Sequence, residues 1–506
     1  MGPGVPYLCA LPARSARQTL LASAATAAVL ALPARAEDKG PLGLEELCAA
    51  LERRVEEFML PNGLTFLVLE RRLAPIVSCH TYCDIGAFDE EDGQTGIAHL
   101  LEHMAFKGSQ RIGTQDFRRE APLLDALDEV FYALRDARRA GAEAEAARLD
   151  AELRRLTAAA GELEEANAFG ALLQRAGAVG LNATTSHDAT KYFASLPANK
   201  LELWFALEAE RFQAPVFRAL YSEKRVVAEE RRARIDNAPL GRFQEAFAGA
   251  ALANNYRRPV IGYASDVEAL GRRELESFFT RWYGPSRLTI AVVGDATASQ
   301  VRGLAEKYFG AWRASTPEPA GNLREGRQCT AGTAEPAYCA MSPRAASERR
   351  LEMPARAGPA VMQAYYRPSL HSPDAVTLDV VCDLLSGSRT ARLARGLVQT
   401  GRAFSASASS GYPADKRPCA VLLYAIPGAS ATLEATDAAL RQQAAALAAD
   451  GPSNIELERI RKASRYSLIS VVEALTTADV RDVASRTFSR NNCFTGFVLP
   501  EARSLG

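Results

Sequence analysis

Residues 96–108 have the sequence GIAHLLEHMAFKG, and the rest of the chain is organised around this stretch. His99 and His103 stand at positions i and i+4, so on an α-helix their side chains share one face. Two imidazoles on one face can bind a single metal ion, and Glu102 projects beside them. The alternative, an amphipathic helix with two incidental histidines, is disfavoured because the chain has only five histidines in 506 residues.

The H-x-x-E-H order of these residues predicts a particular chemistry. It is the inverted form of a zinc-peptidase motif, in which the two histidines are ligands and the glutamate is the general base. The other histidines, His80, His187 and His371, have no second histidine at helical spacing. We interpret them as packed or surface side chains.

Composition restricts the classes of function. The chain has 60 lysines and arginines and 60 aspartates and glutamates, so it has no overall charge that would attract nucleic acid or an anionic membrane. Its length and its 48% apolar content can supply more than one hydrophobic core. We therefore expect a multidomain protein with no nucleic-acid partner.

The first 36 residues resemble a targeting segment. They contain no acidic residue, Arg14 and Arg17 precede an apolar run from Thr19 to Leu32, and a small-x-small cleavage pattern follows the run. The run is too short for a permanent membrane anchor. We predict a signal or transit peptide over residues 1–36 and export of the mature chain. The periplasm is the expected compartment, and a plastid or mitochondrion is the alternative.

Two segments differ in composition from their surroundings. Residues 116–174 are rich in alanine, leucine, arginine and glutamate, with leucines at helical spacing and a break at Gly141. This pattern predicts a helical hairpin inserted after the histidine-bearing helix. Residues 313–348 are rich in proline, glycine, alanine and serine and predict a linker.

A short repeat indicates that the chain is duplicated around this linker. The sequence VEAL at residues 267–270 recurs at residues 472–475, and a predicted helix and strand follow each copy. Helices and strands are mixed without a βαβ rhythm, which favours an α+β fold. We expect two duplicated domains, a metal-binding domain at 45–312 and a second domain without metal at 349–506. Each is predicted to be a mainly antiparallel sheet packed with helices.

Several motifs carry a resemblance to a known family. HLLEHMAFKG at residues 99–108, NATT at 182–185 and VVAEERR at 226–232 closely resemble the pitrilysin/insulinase family of zinc peptidases. Bacterial two-domain members and the β subunit of the mitochondrial processing peptidase are the members that the chain resembles in length. The likeness continues at WYGP (282–285) and VVGD (292–295), and in the second half at YRP (366–368) and SGSR (386–389).

The resemblance implies the rest of the site. By it, Glu230 is the third ligand of one zinc ion per chain, and Glu223 is a supporting glutamate of the active site. Two imidazoles and a carboxylate suit zinc and leave one position open for water. Glu102 would take a proton from that water and pass it to the leaving amine. Asn182 and Ala183 correspond to the family's edge strand, which pairs with an extended peptide or unfolded segment.

The chain departs from the family pattern in three places. His103 and Glu230 are farther apart than usual, and the inserted hairpin accounts for the excess. The helical segment before Val472 looks shortened. The arginine and tyrosine that bind substrate from the family's second half fall on Val398 and Phe404.

These departures bear on the partner. Four-domain members of the family enclose their substrate in one chain, whereas this chain has two domains. We therefore expect a second family chain, and a heterodimer whose partner supplies the missing arginine and tyrosine is favoured over a homodimer. Arg395 or Arg402 is the alternative source of the arginine.

Two other functions stay open beside a zinc metalloendopeptidase. One is a catalytically silent family member that acts as a structural subunit of a complex. The other is a peptide-binding subunit with weak turnover. The structural role is disfavoured, because a scaffold has no need of the complete set of predicted catalytic and ligand residues. That set is His99, Glu102, His103 and Glu230.

Overall fold

The computed structural model describes residues 54–313, 349–463 and 469–500. The described residues divide into two units. The first unit comprises residues 54–238 and 258–313, and the second comprises 239–257 and the described residues from 349 to 500. The predicted signal or transit peptide and residues 314–348 of the predicted linker lie outside the described residues.

The first unit contains a six-stranded sheet. Its strands are β1 (Val55–Met59), β2 (Thr65–Glu70), β3 (Ile76–Cys83), β4 (Val179–Thr185), β5 (Thr190–Pro197) and β6 (Leu288–Gly294). They lie in the order β1-β2-β6-β3-β5-β4. The β2 and β6 strands are parallel, and all other neighbours are antiparallel. Strand β4 therefore forms one edge of this sheet.

Helices pack with this sheet and extend from it. They are α1 (Ile97–Met104), α2 (Phe117–Arg139), α3 (Glu143–Gly161), α4 (Ala168–Arg175), α5 (Leu201–Gln213), α6 (Leu220–Arg231), α8 (Ala264–Ala269), α9 (Arg272–Trp282) and α10 (Ala298–Phe309). The predicted hairpin is present as α2 and α3, which turn at Gly141 and bury a leucine seam that includes Leu127 and Leu153. The short helix α4, which was not predicted separately, follows it. In the described part of the chain, no helix is long and apolar enough to cross a membrane.

The second unit contains a five-stranded sheet. Its strands are β7 (Arg349–Ala355), β8 (Ala360–Arg367), β9 (Ala403–Tyr412), β10 (Cys419–Pro427) and β11 (Cys493–Pro500), and its helices are α7 (Gly241–Ala251), α11 (Ala375–Ser386), α12 (Leu433–Asp450), α13 (Asn454–Ala463), α14 (Ile469–Ala474) and α15 (Thr477–Thr487). The strand order is β7-β11-β8-β10-β9. Only β7 and β11 are parallel among these pairs of described strands.

The two sheets share one topology, so the predicted α+β fold with duplicated domains is confirmed. The order β2-β6-β3-β5-β4 corresponds strand by strand to β7-β11-β8-β10-β9, including the single parallel pair. The repeated VEAL sequence lies at the end of α8 in one unit and of α14 in the other. Each copy then leads through a helix into the strand that pairs in parallel.

One segment crosses the predicted domain limits. Residues 239–257 lie inside the predicted range 45–312, yet they group with the second unit. The rings of Phe243 and Phe247 pack on Gly496 of β11, and the Tyr366 hydroxyl donates a 2.5 Å hydrogen bond to the carbonyl of Ala251. The predicted boundaries themselves stay a prediction.

Candidate metal centre

Helix α1 presents the two histidines on one face. It follows Gly96, whose φ of 87° lies in the left-handed region that favours glycine. Glu90 caps the helix, because its side-chain oxygens accept hydrogen bonds from the amides of Gly96 and Ala98 at 2.9 and 3.0 Å. Most of α1 is buried, whereas Glu102 and His103 remain half-buried. The helix is thus fixed in the unit while Glu102 and His103 stay accessible.

Glu230 on α6 completes a three-residue cluster. Its Oε2 atom lies 3.7 Å from His99 Nε2 and 3.5 Å from His103 Nε2. The ligand atoms of the three residues all lie within 4.8 Å of one another. Among the residues that the structure describes, no other group of three histidine, cysteine or acidic side chains is arranged to hold a metal ion.

The separations within this cluster fit a zinc ion. Zinc bonds of about 2.0–2.1 Å at tetrahedral angles place ligand atoms about 3.4 Å apart. The two nitrogen–oxygen separations, 3.7 and 3.5 Å, are close to this value. The donor set also fits, since imidazole nitrogen and a carboxylate oxygen are ordinary zinc ligands. His99, His103 and Glu230 are therefore the residues that would hold the ion.

The protonation of the histidines depends on their surroundings. Burial and the neighbouring His103 lower the pKa of His99 to about 4, so His99 is in the neutral form that binds metals. Burial also lowers the pKa of His103, but the hydrogen bond and charge of Glu223 and the charge of Glu230 outweigh burial and raise it overall. A positive ion at the cluster would favour the neutral form of both rings.

Glu223 contacts the metal-binding face indirectly. Its Oε2 atom lies 3.2 Å from His103 Nδ1, so the ring donates Nδ1–H to Glu223 and keeps Nε2 for the cluster. The hydrogen bond to His103, together with Lys107, lowers the pKa of Glu223 to about 2. A permanently ionised acceptor in this place fixes the tautomer and orientation of His103.

Glu102 lies beside the edge strand β4. The hydroxyl of Thr185 on that strand donates a 2.5 Å hydrogen bond to Glu102 Oε2. Burial raises the pKa of Glu102 above its usual range, and the Thr185 bond partly offsets this. A raised pKa makes the carboxylate a stronger base, as a general base near neutral pH requires.

Asn182 and Ala183 lie on β4, as the sequence predicts. They pair with Phe193 and Tyr192 of β5, and in the described sheet β4 has no strand on its other side. The Ala183 amide donates to the Asn182 side-chain oxygen at 2.9 Å. β4 is an edge strand of the described sheet, of the kind to which an extended peptide can add.

The positions that correspond to the family's arginine and tyrosine lie in the second unit. Val398 ends a turn of π-helix, and Phe404 is an exposed side chain near the start of β9. Arg395 lies 3.7 Å from Glu456, and Arg402 is exposed. The replacement of the missing arginine by Arg395 or Arg402 stays a prediction.

Sequence reasoning missed several residues around the cluster. Arg234 pairs with Glu230 Oε1 at 2.8 Å, and their i,i+4 spacing was the available signal. Lys107 and Thr185 gave no such signal, because their contacts with Glu223 and Glu102 join segments that are distant in sequence. Glu90 lies only six residues before Gly96 and was not singled out.

The chain has a duplicated fold, and its first unit carries the His/His/Glu cluster. The chain belongs to the insulinase family, peptidase family M16. The family model described as "Insulinase (Peptidase family M16)" matches residues 66–126 and 153–262. The model described as "Peptidase M16 inactive domain" matches residues 269–464. The gap in the first match falls within the helical hairpin, as expected for an insertion.

Individual relatives agree with this assignment. "Zinc protease PqqE" of Helicobacter pylori is 26% identical over 259 residues, which cover 50% of this chain and 46% of the relative. The chain thus spans about half the length of this curated relative. The crystal structure of a protease from Helicobacter pylori superposes with a TM-score of 0.68 at 21% identity, over 88% of this chain and 99% of that one. The crystal structure of the periplasmic protease PqqL from Escherichia coli superposes with a TM-score of 0.59 at 17% identity, over 88% of this chain and 47% of that one.

Proposed function

We propose that the chain is a zinc metalloendopeptidase of the inverted H-x-x-E-H type that hydrolyses peptides or unfolded segments. One observation carries the proposal: His99, His103 and Glu230 converge at zinc-ligand separations, with Glu102 beside them and hydrogen-bonded to the edge strand. The names of the relatives support it, since PqqE is called a zinc protease.

The residues of this chain would divide the chemistry as follows. A zinc ion bound to the cluster supplies Lewis acidity, which polarises a carbonyl and promotes the loss of a proton from water. Glu102 accepts the proton of the attacking water and delivers it to the leaving amine. Thr185 holds one oxygen of Glu102, and Glu223 holds the His103 ring, so both groups are oriented before substrate arrives.

The substrate would bind as an added strand. A peptide paired with β4 at Asn182 and Ala183 would pass close to Glu102, because Thr185 on the same strand already bonds to it. Pairing through the backbone requires an extended substrate but imposes little preference for its sequence. A segment whose backbone is already paired inside a folded protein cannot offer such a strand, so peptides and unfolded segments are the proposed substrates.

We propose in addition one zinc ion per chain, a second family chain as partner, and export. A heterodimer is favoured over a homodimer, because this chain has Val398 and Phe404 at the positions of the family's arginine and tyrosine. A partner of different sequence could supply that pair, whereas a second copy of this chain could not. The periplasm is the proposed compartment, as for the PqqL structure, and a plastid or mitochondrion is the alternative. The same absent pair favours the second candidate function, a peptide-binding or structural subunit with little or no turnover.

Zinc analysis combined with peptide cleavage tests the proposal. The purified chain is assayed alone and with candidate partner chains, beside the Glu102→Gln and Glu230→Gln variants. We expect about one zinc per chain, cleavage that Glu102→Gln abolishes, and weaker zinc retention by Glu230→Gln under chelator. Glu230→Gln should lose zinc because a neutral amide replaces an anionic ligand.

The opposite results separate the alternatives. A chain without transition metal, in which His103→Ala changes nothing, would rule out the zinc centre. A chain that holds zinc and binds peptides tightly but cleaves none, with or without a partner, would instead identify a peptide-binding subunit.

A further inference from the structure

Lys107, in the turn that follows α1, lies between two carboxylates. Its Nζ atom is 2.7 Å from Glu223 Oε1 and 3.8 Å from Glu164 Oε1. The other oxygen of Glu223 is the one that contacts His103 Nδ1 at 3.2 Å. A continuous line of polar contacts therefore runs from Glu164 through Lys107 and Glu223 to a ligand of the candidate metal centre.

These contacts are sheltered from solvent. The exposed fractions of the side chains are 21% for Lys107, 21% for Glu164 and 17% for Glu223. Screening by water and salt is weaker for half-buried charges than for exposed ones, so their mutual orientation is better defined. By contrast, the exposed pair of Glu152 and Arg155 on α3 belongs to the class that contributes little.

Glu164 belongs to the inserted segment, in the connection between α3 and α4. Its neighbours are hydrogen-bonded to the loop after α1: the Glu165 amide donates to the Gly113 carbonyl at 3.1 Å, and the Gln115 amide donates to the Leu163 carbonyl at 2.9 Å. The backbone that carries Glu164 is thus attached to the segment that follows Lys107. Its carboxylate position is set by this attachment and not by a flexible tip.

The chemistry of a metal-bound histidine explains why such a line matters. The second ring nitrogen needs an acceptor in a fixed place, and loss of such an acceptor typically lowers metal affinity about 10- to 100-fold. A carboxylate held at one oxygen can rotate about its Cγ–Cδ bond. Lys107 holds the second oxygen of Glu223 and removes that freedom.

We propose that Lys107 and Glu164 are positioning residues, through which the inserted segment fixes Glu223 against His103 and so sets the zinc affinity of the centre. The inference rests on the proposed zinc site and names residues outside it. The base of the insertion, next to α1, then supports the metal centre. The helices of the insertion extend away from it.

Zinc affinity of the metal-free chain, measured by competition with a chromophoric chelator, tests this. Lys107→Met keeps the length of the side chain and removes its charge, and we expect zinc affinity to fall about 10-fold. Lys107→Arg should recover most of the loss. Glu164→Gln should act in the same direction by a smaller factor, and its matched control Glu152→Gln should change nothing.

A double-mutant cycle separates this role from a general structural one. Once Glu223→Gln has removed the held carboxylate, adding Lys107→Met should weaken zinc binding little further. In peptide cleavage, Lys107→Met should lower kcat and leave KM unchanged, because β4 is untouched.

Two outcomes would count against the proposal in different ways. If Lys107→Met lowers the melting temperature but binds zinc as tightly as the wild type, the coupling is wrong and the ion pairs are structural. If the wild-type chain itself binds no zinc, the proposed function fails first.

Discussion

Helices α1 and α11 occupy the same place in the two duplicated sheets, after β3 in the first unit and after β8 in the second. Helix α11 buries ten of its twelve residues and carries no histidine. Helix α1 buries six of its eight and turns Glu102 and His103 toward an accessible face. The same helix position therefore serves as hydrophobic core in one unit and as a candidate metal site in the other. A few polar residues on a well-packed helix, with one carboxylate from α6, suffice for the change.

The edge strands differ in the same sense. In the second unit, the Ser386 hydroxyl at the end of α11 accepts a hydrogen bond from the Ala408 amide at 2.8 Å and donates one to the Ala408 carbonyl at 3.2 Å. This occupies the backbone of β9. In the first unit, Glu102 of the helix instead accepts its hydrogen bond from the side chain of Thr185 on β4. An open edge next to a base is what strand addition and hydrolysis require together.

The largest expected effect distinguishes the two helices by chemistry. Glu102→Gln should keep zinc and lower kcat about 100- to 10,000-fold, because the amide preserves shape but accepts no proton. The matched control is Asp383→Asn, a carboxylate of α11, which should leave zinc content and kcat unchanged. Cleavage at near the wild-type rate by Glu102→Gln would remove Glu102 as the base.

A core substitution distinguishes the helices by stability. Leu384 is buried in α11, and Leu384→Ala should lower the free energy of unfolding of the second unit by about 2–5 kcal/mol. Calorimetry of the metal-free protein measures this. The zinc affinity should not move, since Leu384 belongs to the other unit. A parallel fall in zinc affinity would contradict the assignment of α11 to core alone.

The pH dependence of stability should distinguish the buried Glu90 from the half-buried Glu456. Burial raises the pKa of Glu90 to about 8, so the folded chain keeps a proton that the unfolded chain loses above its ordinary value of 4.5. The contribution of Glu90 is present below pH 4.5 and is lost as pH rises to about 8, with a slope of at most about 1.4 kcal/mol per pH unit. Glu90→Gln should flatten that slope.

Glu456 of the second unit is the counterpart. Burial acts to raise its pKa, but hydrogen bonds from Arg392 and Ser453 outweigh burial and lower it to about 2. Its contribution is therefore present above pH 4.5 and lost toward pH 2, so Glu456→Gln should not alter the slope between pH 4.5 and 8. Chemical denaturation at a series of pH values measures both variants. Equal slopes in wild type and Glu90→Gln would contradict the buried, protonated state of Glu90.

The smallest effect concerns the hairpin, which the second unit lacks in its described residues. Its tip, residues 138–145, is exposed. Replacing the tip with a short Gly/Ser loop should change little, as substitutions at other surface sites do. The free energy of zinc binding and the activation free energy of small-peptide cleavage should each shift by less than about 0.5 kcal/mol. Assembly with a partner or cleavage of large substrates should fall. Loss of zinc from a folded tip variant would show that the tip, and not only Glu164, supports the metal centre.

The sequence was most informative where contacts are local. The i,i+4 spacing of His99 and His103 predicted their shared face, and the VEAL repeat predicted the duplication. Glu230 and Glu223 came from the family resemblance, because a separate helix carries them and no local pattern joins them to α1. The line from Glu164 to His103 was out of reach for the same reason. Composition likewise gave no sign that residues 239–257 pack with the second unit, since an amphipathic helix can serve either core.

The strand order has a consequence for synthesis. In each sheet the strand that comes last along the chain, β6 or β11, lies in the interior of the sheet, between β2 and β3 or between β7 and β8. While the chain emerges from the ribosome, β3 therefore waits with an unpaired side until residues 288–294 arrive. Such non-local closure is slow, and unpaired strands associate readily with other chains. Each sheet therefore exposes unpaired strand sides to other chains until its final strand arrives.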